Sequence, residues 1–290
     1  MDQKIINLYD AFTHGGMNRR DFMERLTKLA GSAAAAAALL PVLQNDYAQA
    51  AIVAADDARI ATERLSFDSS KGKIDGYLAR PREKGRRPVV LVIHENRGLN
   101  PHIEDVARRF ATEGFLAYAI DLLSLVGGTP AAEDEARERH GKLNQDDAVA
   151  ALADAVAFLK KHPESTGKVG AVGFCFGGLM VNRLAVASKE LDAGVAYYGR
   201  QVPAGQVPDI QAALLLHYAE NDAGVNAGIE AYEAALKANN KTYTIHHYPG
   251  TQHAFNSDTS AARYNKEAAE LAWGRTIAFF RERLGTPRGA

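Results

Sequence analysis

The 290-residue chain holds one cysteine, one tryptophan and no surplus of either charge. A single cysteine excludes an intrachain disulfide framework, a C-x-x-C redox pair and a cysteine-rich zinc site. Without a sequence context it reads as a small buried hydrophobe. Lysine and arginine number 34 against 35 acidic residues, so no basic field supports a nucleic-acid partner. The nine histidines include no H-x-x-x-H or H-E-x-x-H pair, which leaves no recognisable metal site. With 25 glycines and 10 prolines in 290 residues and 47% hydrophobic content, neither a collagen-like nor a disordered chain is expected. No apolar run reaches the ~20 residues of a membrane-spanning helix, so a permanent membrane anchor is not expected.

What is present divides at about residue 50. Asn18-Arg19-Arg20-Asp21-Phe22-Met23 pairs two arginines with a hydrophobic pair, and Leu29 to Leu43 carries no charge and includes six consecutive alanines, Ala33 to Ala38. Ala48-Gln49-Ala50 follows with small residues at signal-peptidase spacing. Charged region, apolar region and A-x-A site in that order describe an export signal. The arginine pair resembles a twin-arginine (Tat) signal, which implies the Tat export machinery as a partner of the precursor. Residues 1–50 are therefore expected to be a cleaved leader and the protein periplasmic or secreted, or cytoplasmic should the signal not function. The competing reading is an alanine-rich helix, favoured by alanine's helix propensity. The leader holds five basic residues (Lys4, Arg19, Arg20, Arg25, Lys28) and five acidic ones (Asp2, Asp10, Asp21, Glu24, Asp46). Its removal thus leaves the net charge at −1.

Residues 51–290 alternate strand and helix patterns, with no internal repeat and no linker. Strands are expected at Arg64–Phe67, Ile74–Arg80, Val89–His94, Phe115–Ile120, Val169–Phe174, Ala193–Tyr198, Ala213–His217 and Thr242–Tyr248. The nearly continuous apolar runs are those of parallel strands buried on both faces. Helical spacing marks His102–Glu113, Ala131–Leu143, Asp146–Lys161, Gly178–Ser188, Asn226–Ala238 and Ser260–Leu284. In the first of these Ile103, Val106 and Phe110 form the apolar face and Arg108 and Arg109 lie elsewhere. Repeated βα units imply one α/β domain, a mostly parallel sheet with helices on both faces.

Gly173-Phe174-Cys175-Phe176-Gly177-Gly178 falls between an apolar strand and a helix, the setting of a nucleophile elbow with cysteine in place of serine. Gly173 and Gly177 permit the sharp turn. The following helix N-terminus favours a thiolate, and the Phe176 amide would face a developing oxyanion. The chain order nucleophile, acid, base selects Asp222, 47 residues on, with Glu220 as rival carboxylate, and then His253, 31 residues further and just past a Pro249-Gly250 turn. His246 and His247 lie within the preceding strand and point to opposite faces.

These motifs, with His94-Glu95-Asn96-Arg97-Gly98-Leu99, Ala119-Ile120-Asp121-Leu122, Ala196-Tyr197-Tyr198-Gly199 and Gly250–Phe255, resemble the dienelactone hydrolase family, cysteine members of the α/β-hydrolase superfamily. The likeness covers roughly residues 60–285. It implies a carboxymethylenebutenolidase-like hydrolase of a small ester, lactone or thioester, acting through Cys175, Asp222 and His253 without a cofactor. It also implies that Glu95 faces the sulfur and receives the thiol proton, and that the Asn96 amide is the second oxyanion donor. Two positions depart from the family. The arginines that hold the dienelactone carboxylate are replaced by Ser257 and by the uncharged Leu122-Leu123-Ser124-Leu125, and neither can supply bidentate carboxylate recognition. A less charged acyl group follows, unless Arg200 or Arg97 has taken over the role. A non-catalytic binding protein on the same scaffold, or a redox-sensitive thiol protein, are the alternatives. Oligomeric state is left open.

Overall fold

Val89 to Ile93 is apolar at every position and fully buried. Alternate side chains must therefore be covered on two faces. Val89, Leu91 and Ile93 join one core and Val90 and Val92 the other. The rest of the architecture follows from that two-sided demand. The computed structural model describes residues 1–13, 17–43 and 51–287; the Ala48-Gln49-Ala50 cleavage motif lies outside them.

Eight strands form one sheet: β1 (Ile60–Ser69), β2 (Gly72–Pro81), β3 (Arg87–Ile93), β4 (Leu116–Asp121), β5 (Ser165–Phe174), β6 (Ala193–Tyr197), β7 (Ala213–Asn221) and β8 (Tyr243–Gln252). Their spatial order is β1-β2-β4-β3-β5-β6-β7-β8. The β1–β2 and β2–β4 pairs are antiparallel, and all pairs from β4 to β8 are parallel. One face is covered by α6 (Gln145–Lys160), α7 (Phe176–Ala187) and α9 (Ile229–Ala238), through residues such as Leu152, Leu184 and Leu236. The other is covered by α4 (Pro101–Thr112) and α10 (Lys266–Leu284), through Phe110, Ile277 and Phe280. The short α5 (Glu133–His140) and the single turn α8 (Ala223–Asn226) sit in loops after β4 and β7. The helix after β3 goes to one face and the helix after β5 to the other. The crevice at their carboxyl ends is the place where such sheets bind ligands.

Three expectations need correction. The last helix begins at Lys266 rather than Ser260, because Asn265 caps it by accepting from the Ala268 amide. Residues 257–264 instead form successive turns through Ser257, Ser260 and Arg263 amides. Pro249-Gly250 does not end the last strand, which runs on to Gln252 with a register shift against β7. Arg108 is not displayed on α4 but buried beside Asp105.

At the amino end, α1 (Gln3–Thr13), α2 (Arg19–Ala30) and α3 (Ala33–Leu43) build a third, small core from Ile5, Tyr9, Phe12, Phe22, Leu26, Ala36 and Leu43. Phe12 stacks on Phe22 with centroids 4.4 Å apart. The uncharged run does not form one rod: Gly31, at φ 82°, ends α2, and α3 leaves it at 112°. No single helix among the described residues is long and apolar enough to cross a membrane.

The α/β sheet domain starts on an ionic clasp. Asp105, 1% exposed, accepts the Ile52 and Val53 amides at 3.1 and 2.9 Å and the Arg109 guanidinium at 2.8 Å. Arg108 in turn donates to the Val53 carbonyl at 2.6 Å. Asp105→Ala leaves the Ile52 and Val53 amides without their acceptor and two buried arginines without their shared carboxylate, Arg108 keeping the Val53 carbonyl and Arg109 keeping Asp258. It is expected to cost about 3–5 kcal/mol, read as a lower urea midpoint with an unchanged m-value. A cost below about 1 kcal/mol would show that water replaces the carboxylate.

Candidate active site

Four strand ends converge on one cavity. Each parallel strand terminates in backbone that has run out of ladder partners, so its next residues are free to serve the crevice. Cys175 follows β5, Asp222 follows β7, His253 follows β8, and Glu95 and Asn96 follow β3.

The turn at Cys175 is the tightest of these. Its φ is 55° and ψ −113° as it caps α7, a conformation few side chains adopt. A Cβ on Gly173 would strike the Gly177 carbonyl, and a Cβ on Gly177 would strike the Ile93 carbonyl. Both glycines are therefore steric requirements of strand, helix and β3 backbone lying in contact. The Phe176 amide opens α7, where helix geometry supplies no intrahelical acceptor. The Phe176 ring is fixed edge-on against His140 at 4.4 Å.

Asp222 accepts from the Val225 amide and lies 2.6 Å, Oδ2 to Nδ1, from His253, which donates. Both side chains are buried. Burial pushes the His253 imidazole down. The Cys175 charge, hydrogen bonds with Asp222 and Cys175, and the Asp10 carboxylate outweigh it and hold the ring well above its ordinary range. These anions favour the protonated form of the ring beside the Cys175 sulfur. Glu220 is exposed and bonded to the Gly250 amide at 2.7 Å, so it braces the β8 bend instead. His246 stacks on His217, and His247 is exposed beside Tyr218; neither lines the cavity.

The β3 exit is locked by His94. Its Nδ1 donates to the Glu95 carbonyl at 2.5 Å and its Nε2 accepts from the Leu122 amide at 3.1 Å. Burial keeps it below its ordinary range, consistent with the neutral ring these bonds require. Glu95 Oε1 is buried with no hydrogen-bond partner. Burial, then the charges of Glu95 and Cys175, push the Tyr198 phenol well up, so both groups act on the same ring. Tyr198, at φ 38°, lies 5.0 Å from the His253 ring. It belongs to a motif visible in the sequence, but nothing in the sequence assigned it a place at the site.

The cavity in front of Cys175 measures about 1210 Å³. Ser257 is buried and bonded to Thr259, and Leu122 and Leu123 are buried in the core. Neither position thus presents a cation. Arg97 is buried against Glu133 at 2.9 Å, whereas Arg200 does line the cavity. The sequence did not single out Arg263, which is 6% exposed and also reaches the cavity. It arrives there because residues 257–264 turn instead of forming the helix that their spacing suggested. The wall facing the cysteine includes Ile6, Asp10 and Phe12 of α1, residues read from sequence as leader.

A family model described as the dienelactone hydrolase family matches residues 74–284, and a second, described as YqhI-like, matches residues 1–31. A Methylorubrum extorquens protein assigned as a carboxymethylenebutenolidase is 32% identical over 275 residues, 90% of this chain and 93% of that one. An Escherichia coli hydrolase fragment, YghX, is 47% identical over 106 residues, 36% of this chain and 91% of the fragment. The crystal structure of a protein from Klebsiella pneumoniae assigned as a dienelactone hydrolase superposes with a TM-score of 0.70 at 30% identity, covering 77% of this chain and 99% of that one.

The upward shift of His253 sets the expected pH response. Since its folded pKa is raised, the charge stabilises the fold fully below the unfolded value of about 6.5. That contribution is lost only as pH rises through the elevated folded value. Alkylation of Cys175 by iodoacetamide should accordingly vary little between pH 6 and 8. In His253→Ala it should climb about tenfold per unit, as for an ordinary thiol of pKa about 8.5. A wild-type rate that climbs equally would refute the ion pair.

Proposed function

The chain belongs to the dienelactone hydrolase family, and on that premise we propose that it hydrolyses a small ester, lactone or thioester through an acyl-enzyme on Cys175. The observation that carries the reading is the 2.6 Å Asp222–His253 contact beside the elbow cysteine at the floor of the cavity.

Asp222 fixes the imidazole tautomer and supports its charge. The Cys175 thiolate adds to the substrate carbonyl carbon, and the displaced electron pair rests on oxygen, held by the Phe176 and Asn96 amides. Collapse restores the carbonyl, breaks the bond to the leaving oxygen or sulfur, and passes the His253 proton to that atom. Water then gives a proton to His253 and adds to the thioester. The second collapse releases the acid and returns the thiolate and imidazolium. Glu95, with one buried oxygen lacking a partner, is a second acceptor for the thiol proton when substrate binds. The loss of arginines at Ser257 and Leu122–Leu125 favours an acyl group less charged than a dienelactone.

Cys175→Ala is expected to reduce p-nitrophenyl acetate turnover to background, and one equivalent of iodoacetamide to abolish it. Asp222→Asn should lower kcat by about 10²–10⁴-fold, and a neutral lactone should be preferred over its carboxylate-bearing analogue. Full turnover by Cys175→Ala would overturn the mechanism.

For residues 1–50 the proposed role is export by a twin-arginine route to the periplasm or beyond. Asn18 caps α2 by accepting from the Asp21 amide, which sets Arg19 and Arg20 at the helix start, both exposed. Cell fractionation and the mass of the exported protein test this. The expected mature chain begins at Ala51, and Arg19→Lys with Arg20→Lys should trap it inside. A cytoplasmic chain of full mass in wild-type cells would refute export.

A further inference from the structure

The amino-terminal helices are joined to the hydrolase body by contacts that converge on its cavity. The last carbonyls of a helix lack intrahelical donors, and α1 has no cationic residue in its final turn to serve them. The Asn96 side chain does so instead, donating to the Thr13 carbonyl at 2.5 Å. Asn96 is the residue whose own amide is proposed to hold the oxyanion. One turn earlier, Asp10 faces Arg263 at 3.4 Å, and the Arg263 guanidinium lies over the Tyr9 ring. At the far end Gln3 and Gln252 exchange side-chain hydrogen bonds at 2.6 and 2.8 Å, next to His253. Arg137 of α5 stands 4.1 Å over the Phe12 ring.

With α1 seated by these four contacts, the space in front of Cys175 still measures about 1210 Å³. That is at or above the usual size of a small-molecule site, about 300–1,000 Å³. A plug would have filled it. The helix lines the space and adds apolar Ile6 and Phe12 to it. Asp10 also places a carboxylate against Arg263, a buried cation in the cavity that would otherwise attract anionic groups.

We propose that α1 is a wall of the substrate cavity, latched by the Asp10–Arg263 pair, and that it limits the size of the acyl group reaching Cys175 while it remains attached. Asp10, Phe12 and Ile6 are its selectivity-determining residues. Removal of residues 1–50 on export, as proposed above, would then broaden the specificity of the same catalytic residues. The ester half of the test rests on the Cys175 hydrolase reading; the thiol half does not.

In the chain carrying residues 1–290, two ratios are measured for each variant. One is the rate of Cys175 modification by a bulky maleimide over that by iodoacetamide, in which changes of thiolate content cancel. The other is kcat/KM for p-nitrophenyl octanoate over acetate. Ile6→Trp fills the wall and should lower both ratios by about tenfold, whereas Asp10→Asn and Phe12→Ala loosen it and should raise both by a similar factor. Asp10→Asn is nearly isosteric and keeps the test decisive should the tryptophan variant not fold, which thermal unfolding monitors. Ratios that stay within twofold of wild type in the folded variants would overturn the wall. A shifted thiol ratio with no ester turnover in any variant would uphold the wall and overturn the hydrolase reading.

Discussion

The reversal of the chain at Cys175 is the constraint on which the rest of the site depends. A strand and a helix meet there so closely that Gly173 touches the Gly177 carbonyl region and Gly177 touches β3. Only two missing Cβ atoms make that possible. The consequence is that the sulfur stands off the end of β5, the Phe176 amide points outward, and the β3 exit, with Glu95 and Asn96, is pressed against the same spot. Cys175 and the Phe176 and Asn96 amides, the groups proposed as nucleophile and oxyanion donors, are thus positioned by one steric event.

Electrostatics then divides the titratable groups by environment. His94 and His253 are both deeply buried, yet one is held below its ordinary range and the other above. The difference is the company each keeps. The ring nitrogens of His94 serve one backbone carbonyl and one amide, which a neutral imidazole satisfies. His253 lies between the Asp222 carboxylate and the Cys175 sulfur, with Asp10 nearby. Burial costs the charged form of both rings; the Asp121 and Glu95 charges near His94 do not offset it, whereas the groups around His253 do.

The amino-terminal segment alters the meaning of the cavity. Viewed as the end of a parallel sheet, the site would be an open crevice between loops. With α1 across it, a polar rim contributed by Asn96, Gln252 and Arg263 is turned inward onto the helix. The same residues that border the reaction centre hold the cover in place. Access to Cys175 and the attachment of α1 are therefore coupled by shared contacts rather than by distance.

Much of the hydrolase body was legible in residue order. The short apolar runs of β3, β4 and β5 fit strands buried on both faces, and their length and bounding turns separate them from buried helices. The glycine spacing around Cys175 announces the elbow, because the clash it avoids is local. Order along the chain points to Asp222 and His253, and their meeting at 2.6 Å is a product of neighbouring strands β7 and β8. What the sequence could not determine depends on contacts between distant segments. Asp105 with Val53, Glu220 with Gly250, and Asn96 with Thr13 are each local ambiguities settled by a partner 30 or more residues away. Ser260 to Asn265 has helical spacing, but the Asn265 cap delays the helix, and only then does Arg263 swing into the cavity. The leader pattern of residues 1–50 is a matter of composition. The position of α1 across the cavity is a matter of tertiary packing, because helix periodicity says which face is apolar and never which surface will cover it.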